Sequence, residues 1–199
     1  MVKKGVGLLA AILLLSLIST AASAFSFDDI QLWAGSGSNK AALVIDWNDG
    51  KEPECLAWGY RWDGTATGRD MLNAVKNLDE RLNEVIGTYG QAAVLGLGYD
   101  LDSDGFSSND SSDHYQSGWS TSGFWSYWLK STTDVSWSFS HYGISGRTLS
   151  DGCWDGWSFS KGVAPDSITA ATSVPEPSSL FALVTGVAGL FGFGIRRKK

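Results

Sequence analysis

The stretch AALVIDWNDGKEPECLAWGYRW, residues 41–62, decides the predicted fold. Residues 41–47 are rich in strand-forming side chains and stop at Asn-Asp-Gly, a strong turn signal. Residues 56–62 carry aromatic side chains at alternate positions, Trp58, Tyr60 and Trp62, which is the spacing of a strand. The two segments therefore predict a pair of neighbouring strands.

The next segment changes to the spacing of a helix. Between Met71 and Val85, apolar residues recur at intervals of three and four. Thr67 followed by Asp70 is the pattern of a capping box. The sequence therefore predicts a helix over residues 68–86.

The rest of the central part reads as short strands separated by polar turns. They are predicted at residues 92–99, 124–129, 135–139 and 154–159. Two strands, a helix and then several strands indicate an α+β fold with a single, mostly antiparallel sheet and one packed helix. The N-terminal signal and the C-terminal apolar segment are each predicted to be helical.

The N-terminal end, residues 1–24, has the three parts of a secretory signal. Lys3 and Lys4 are followed by an apolar run, and Ala-Ser-Ala at 22–24 fits a cleavage site. The alternative is an uncleaved N-terminal anchor. Either way, the domain that follows is predicted to lie outside the cytoplasm.

The net charge of the whole chain differs from that of the domain, because the two ends carry many of the cations. The chain carries a net charge of −6, but six of its 15 cations and only one of its 21 acids lie in residues 1–24 and 174–199. Nine cations and 20 acids remain, so the middle carries −11. A nucleic-acid partner is excluded at this charge, and the many Trp, Tyr and aliphatic residues exclude a disordered chain.

The C-terminal end, residues 174–199, combines a short motif, an apolar span and four cations. The motif residues are Val174, Pro175, Glu176 and Pro177. The span, 180–195, is slightly shorter than the ~20 residues of a usual membrane helix, and the cations at 196–199 orient the domain away from the cytoplasm. Residues 164–173 are predicted to be a linker that follows a domain over 25–163.

This C-terminal pattern resembles the PEP-CTERM sorting signal. The alternative is an ordinary tail anchor. The resemblance implies export by the secretion machinery, a C-terminal span held in the inner membrane, and processing by a membrane-embedded exosortase. It also implies a Gram-negative host with extracellular polysaccharide, and a destination at the cell surface or in the extracellular matrix.

The central domain resembles the transcobalamin-like C-terminal β-grasp family in residues 40–160. The resemblance lies in FWSYWL at 124–129, GIS at 143–145, LSDG at 149–152 and WSF at 157–159. It implies a β-grasp fold, and some members of that family take part in corrinoid binding. The chain departs from the pattern in its long acidic loop and its additional tryptophans.

The two cysteines, Cys55 and Cys153, are predicted to form a disulfide, because export places them where a disulfide persists. The alternative is two separate thiols. No histidine lies close to either of them in sequence, which argues against thiol chemistry.

The segment 100–105, D-L-D-S-D-G, resembles the opening of a calcium loop. The predicted ligands are the side chains of Asp100, Asp102 and Asp104 and the carbonyl of Phe106. The closing glutamate of an EF-hand is replaced by Ser111, a gap that Asp110 or Asp113 could fill. The alternative is a solvated acidic loop, and a bound Ca²⁺ would be structural.

Ten tryptophans invite a carbohydrate-binding interpretation, although core packing is the commoner use of each one. Trp119, Trp125 and Trp128 follow a polar loop and are the predicted ligand-binding residues. No catalytic motif is present in the sequence. The predicted function is a non-enzymatic binding or structural component of the envelope or matrix. A small-molecule or glycan receptor and a polysaccharide hydrolase remain as alternatives.

Overall fold

The computed structural model describes residues 25–87, 92–120, 123–160 and 162–173. These residues form an α+β domain that is mostly sheet, with one α-helix. The strands are β1 Trp33–Gly35, β2 Asn39–Asp46, β3 Cys55–Trp62, β4 Leu82–Gly87, β5 Ala93–Tyr99, β6 His114–Ser117, β7 Trp119–Ser120, β8 Gly123–Lys130, β9 Ser138–Phe139, β10 Cys153–Ser160 and β11 Thr169–Ala170. The helix α1 is Gly68–Leu78, and a 3₁₀ turn covers Phe27–Asp29.

The main sheet has the order β1-β3-β2-β10-β8-β7, with β9 paired to β8 and β11 paired to β3. The predicted pairing of β2 with β3 is confirmed and is antiparallel. However, β10 runs parallel to β2, and β1 and β11 run parallel to β3. The main sheet is therefore mixed, and the prediction of a single, mostly antiparallel sheet is wrong. The apolar run in β2 is continuous because this central strand is buried on both faces.

A second sheet, with the order β4-β5-β6, packs with α1 against one face of the main sheet. The core between them contains large side chains from every layer. They include Trp47, Trp58, Met71, Leu72, Val75, Leu82, Leu97 and Trp157. The opposite face of the main sheet is covered by N-terminal residues such as Phe27 and Ile30, and by Trp137 and Ile168.

The helix begins where the sequence predicts and ends earlier. The capping box of Thr67 and Asp70 is present. The helix stops at Leu78 because the buried carboxylate of Asp79 accepts hydrogen bonds from Trp58 Nε1 at 3.0 Å and from Tyr99 Oη at 3.1 Å. The predicted second half of the helix is instead β4, so the helix prediction over 68–86 is wrong after residue 78.

The structure also differs from the strands predicted after residue 99. The segment 135–139 contains only the two-residue strand β9, and Val135 is almost fully exposed. The polar stretch after β5 contains β6, which pairs with β5 and brings the two ends of the acidic loop together.

The predicted disulfide is wrong, because both cysteines are buried thiols that lie far apart. Cys55 pairs with Asp46 at one end of β2, and Cys153 pairs with Ala41 at the other. Five residues along a strand span roughly 17 Å, whereas the Cα atoms of a disulfide lie roughly 4–7 Å apart. The two thiols also belong to cores on opposite faces of the sheet.

The segment predicted as a linker, residues 164–173, lies against the domain. Pro165 and Ala171 are buried, and Ile168 packs on the core beneath the sheet. β11 lies within this segment and pairs with β3.

The predicted signal at 1–24 and the motif and apolar span at 174–199 lie outside the described residues. None of the helices in the described part has the length and hydropathy of a membrane span.

Candidate functional site: an acidic loop and an aromatic groove

The acidic loop joins β5 to β6 in the second sheet. Tyr99 pairs with His114, so Asp100 and Asp113 leave the two strands side by side. One carboxylate oxygen each from Asp100, Asp102 and Asp113 lies within 4.8 Å of the others. Asp113, considered from the sequence only as a substitute ligand, is therefore part of the cluster.

Backbone amides fold the loop around two of these carboxylates. Asp100 accepts hydrogen bonds from the amides of Ser103 at 2.7 Å and Gly105 at 3.0 Å. Asp113 is fully buried and accepts from the amides of Leu101 at 3.3 Å and Ser107 at 2.8 Å. Asp102 is exposed, so the cluster is open to solvent on one side.

One of the predicted calcium ligands, Asp104, takes another position. Asp104 is exposed and lies outside the cluster, and the neighbouring charge of Asp102 raises the pKa of its carboxyl. The ring of Phe106 packs 5.8 Å from the ring of Tyr115. A Cβ at Gly98 would come within 2.2 Å of that Phe106 ring, so Gly98 is required for the loop to lie on β5.

The loop ends at His114, a residue whose role sequence analysis did not identify. His114 is fully buried and stacks on Trp47, with ring centroids 4.5 Å apart. Its Nδ1 lies 3.0 Å from the carboxylate of Asp49, and its Nε2 lies 3.0 Å from the carbonyl oxygen of Pro53. His114 thus joins the second sheet to the β2–β3 turn and fixes one end of the acidic loop. Only its position at the end of a polar loop could have indicated this.

An aromatic groove of about 200 Å³ lies on another part of the surface, between β5, β8 and the loop after β9. Three exposed aromatic side chains line it: Trp119 is 69% exposed, Tyr142 59% and Phe139 49%. Among the other described lining residues are the core side chains Trp125, Tyr127 and Trp157.

The buried aromatic residues of the groove are firmly held. Trp125 donates from Nε1 to the carbonyl of Gln116 at 3.0 Å. Tyr127 stacks on Trp157 with ring centroids 4.2 Å apart and donates its hydroxyl hydrogen to Asp155. Both rings are therefore fixed by contacts within the domain.

The rim is also anchored. The amide of Ser140 donates to the carbonyl of Tyr127 at 2.8 Å, and Ser140 Oγ accepts from the amide of Tyr142 at 3.1 Å. The amide of Ile144, which is buried, donates to the carbonyl of Ala92 at 3.2 Å. Tyr142 is thus exposed between two anchored residues, which preorganises the rim for a ligand.

The three tryptophans predicted to bind a ligand have different environments. Trp119 is exposed in the groove, and Trp125 is buried beside it. Trp128 is half-buried and does not line the groove within the described residues. Its ring packs edge-on against Phe139 at 5.5 Å, and its buried Nε1 has no hydrogen-bond partner in the described structure. Sequence alone could not have identified Phe139 and Tyr142, because their exposure depends on the loop after β9.

The groove and the acidic loop differ in charge. No Asp, Glu, Lys or Arg is found among the described residues that line the groove. The neighbouring stretches 88–91 and 121–122 contain none in sequence either. A cleft of about 770 Å³ beside the acidic loop is instead lined by four carboxylates and Arg81. The carboxylates are those of Asp79, Glu80, Asp100 and Asp104.

Comparison with known proteins identifies the C-terminal end of the chain. A family model described as the PEP-CTERM protein-sorting motif matches residues 173–198. No curated protein and no solved structure matches the chain. The match supports export to the cell surface and an exosortase as the processing partner. The chain therefore carries a PEP-CTERM sorting motif, which follows the aromatic-rich domain.

Proposed function

We propose that this protein is a non-enzymatic binding component of the cell envelope or extracellular matrix, and that the aromatic groove binds neutral carbohydrate. The observation that carries the proposal is the exposure of Trp119, Phe139 and Tyr142 along one groove. Exposed apolar side chains that cluster in this way usually mark a binding site. Flat aromatic faces can stack on the C–H faces of sugar rings, while nearby polar groups bond the hydroxyls.

The charge of the groove supports a neutral ligand. The described lining contains His141 but no Asp, Glu, Lys or Arg, whereas the domain around it carries a net charge of −11. An acidic polysaccharide would be repelled by this field. The groove is also too small to enclose a large ligand, since typical small-molecule pockets hold roughly 300–1,000 Å³. A shallow contact with one sugar ring of a longer polymer fits these dimensions.

The same lining favours binding over hydrolysis. Glycosidases use two carboxyl groups roughly 5 to 10 Å apart on either side of the bond that breaks. The described residues of the groove include no carboxyl group, and the acidic cleft contains no tryptophan among its described lining residues.

The test is affinity electrophoresis of the exported protein with its C-terminal span retained. The protein is kept in detergent, and the gels contain dextran or polygalacturonate. We expect dextran to retard the protein and Trp119→Ala to weaken the interaction at least fivefold, since truncating an anchoring Trp in a binding site costs more than about 1 kcal/mol. Val135→Ala, an exposed apolar change outside the groove, is the control and should bind like the wild type. Equal retardation of wild type and Trp119→Ala would contradict the proposal, as would retardation by polygalacturonate alone.

We also propose that the acidic loop binds Ca²⁺ in a structural role. The convergence of Asp100, Asp102 and Asp113 supports this proposal, because hard cations prefer several carboxylate oxygens. The burial of Asp113 favours an ion that compensates the repulsion between the three charges. The oxygens that the cluster lacks could come from backbone carbonyls and water.

The finer details of sorting and fold are proposals as well. We propose that residues 1–24 are removed on export and that the span 180–195 holds the chain in the inner membrane until an exosortase acts.

We further propose a β-grasp core for the domain. The central strand order β3-β2-β10-β8, with a parallel middle pair and α1 after the first two strands, supports this assignment.

A further inference from the structure

The last ten described residues, 164–173, form a segment that we call the C-terminal strap. Its strand β11 pairs with Leu56 and Ala57 of β3. The amide of Ala171 donates to the carbonyl of Ala57 at 3.0 Å, and Ala171 is 1% exposed. Arg81 then donates from its guanidinium to the carbonyl of Thr172. The strap is therefore attached to the folded domain up to Thr172.

The sorting motif begins almost at this attachment point. Val174 is the second residue after Thr172, and Pro177 is the fifth. Five residues reach at most about 18 Å when fully extended, whereas a domain of this size has a radius of gyration of about 15 Å. While the strap is attached, the motif cannot move farther from the domain than about the radius of the domain itself.

This short reach restricts the access of the sorting enzyme to the motif. A membrane-embedded enzyme must take the motif in its own active site, and the attached domain occupies the space beside the motif. Release of Thr169 to Thr172 would add four residues, up to about 14 Å, and nearly double the available reach.

The strap is also a part of the domain that can detach alone. β11 has two residues, and the buried side chain nearest the motif is the small Ala171. Short terminal elements with few apolar contacts open at a small fraction of the free energy of global unfolding. β2, β10 and β8 do not depend on β11, because it pairs only at the outer edge of β3.

We propose that the strap gates sorting: the exosortase acts on Val174–Pro177 only when Thr169–Ser173 has detached from β3. Attachment slows processing, and the fraction of detached chains sets its rate. This inference rests on exosortase processing and is independent of the carbohydrate groove.

The test measures processing in the native host, by pulse-labelling the chain and recording the mass of the mature product. The locked variant carries Ala57→Cys and Ala170→Cys in a Cys55→Ala background. These two positions are register partners, and neighbouring strands lie about 4.8 Å apart, within disulfide range. The cross-linked protein should be processed at least tenfold more slowly than either single cysteine variant in the same background.

The released variant is Ala171→Pro, which removes the amide that donates to Ala57 and changes the strap alone. It should be processed about fivefold faster, equivalent to about 1 kcal/mol. Thr172→Pro is the matched control, since it puts proline at the next position of the strap, outside the matched motif, while leaving the Ala171 hydrogen bond, and its rate should equal that of the wild type.

Three results would overturn the inference. One is processing of the cross-linked protein at the rate of the single variants. Another is an unchanged rate for Ala171→Pro, which decides the matter even if the locked variant fails to fold. The third is a wild-type product that still ends at Lys199, which would remove exosortase processing and this inference together. Binding to dextran should be unaffected in both variants, so a failure of this inference would not argue against carbohydrate binding in the groove.

Discussion

Tyr127 and Asp155 meet on the neighbouring strands β8 and β10, where the Tyr127 hydroxyl donates a hydrogen bond to the fully buried Asp155 carboxylate. Arg147 supplies the balancing charge, with its Nε 3.3 Å from Asp155 Oδ1. Burial raises the pKa of both Tyr127 and Asp155. The ring of Tyr127 lines the aromatic groove, so this polar contact connects the stability of the domain to the candidate binding surface.

Replacement of Tyr127 by phenylalanine should lower the free energy of unfolding by about 1–3 kcal/mol, because a buried carboxylate loses one of its donors. Denaturant titration is the measurement. Tyr142→Phe, a matched change at an exposed position, should stay within about 0.5 kcal/mol of the wild type. Equal stability of the two variants would show that the Tyr127–Asp155 contact contributes nothing.

The buried carboxyl group of Asp46 predicts a pH dependence of stability. Burial raises its pKa to about 6, compared with about 3.9 in an unfolded chain. Because the folded pKa is the higher one, the stabilisation is fully present below about pH 4 and is lost as the pH rises through about 6. The folded state is therefore favoured at pH 4.5 over pH 7 by about 2 kcal/mol from this group.

The measurement for Asp46 is denaturant unfolding of wild type and Asp46→Asn across pH 4 to 8. The difference between the two proteins isolates Asp46, because Asp155, whose pKa is also raised by burial, remains in both. The wild type should lose stability relative to the variant as the pH rises. Parallel pH profiles would contradict the prediction.

The acidic loop predicts a contrast between two exposed aspartates that look alike in sequence. Asp102 belongs to the carboxylate cluster and Asp104 does not. In calorimetric titrations with Ca²⁺, Asp102→Asn should weaken binding at least tenfold, since it removes one of three charged ligands, and Asp104→Asn should weaken it less. No heat from the wild type at millimolar Ca²⁺ would exclude the site. Equal effects of the two substitutions would contradict the assignment of Asp102, and not Asp104, to the binding cluster.

The two buried thiols predict slow alkylation of the folded protein. Burial raises the pKa of Cys153 to about 11 and also raises that of Cys55, so little thiolate forms at neutral pH. Mass spectrometry after iodoacetamide treatment should show no adduct under native conditions, and two adducts in guanidinium without a reductant. A protein that stays unmodified in guanidinium would contain the disulfide that the structure excludes.

The sequence by itself determined the features that depend on neighbours along the chain. The sorting motif is a linear pattern recognised by another protein, so its residues suffice to identify it. The pairing of β2 with β3 follows from strand-forming runs around a turn, and the Thr67–Asp70 cap needs only a spacing of three residues. These interactions are local, and composition encodes them directly.

Tertiary structure decided everything that depends on distant partners. Helical spacing continues past Leu78, yet the helix stops there because Asp79 bonds to Trp58 and Tyr99 from other strands. Asp113 joins Asp100 because β6 pairs with β5, and no spacing rule predicts that return. Trp119 and Trp125 are similar in sequence context, but the sheet exposes one and buries the other. Burial and proximity are properties of the packed chain, and they separate the groove from the core.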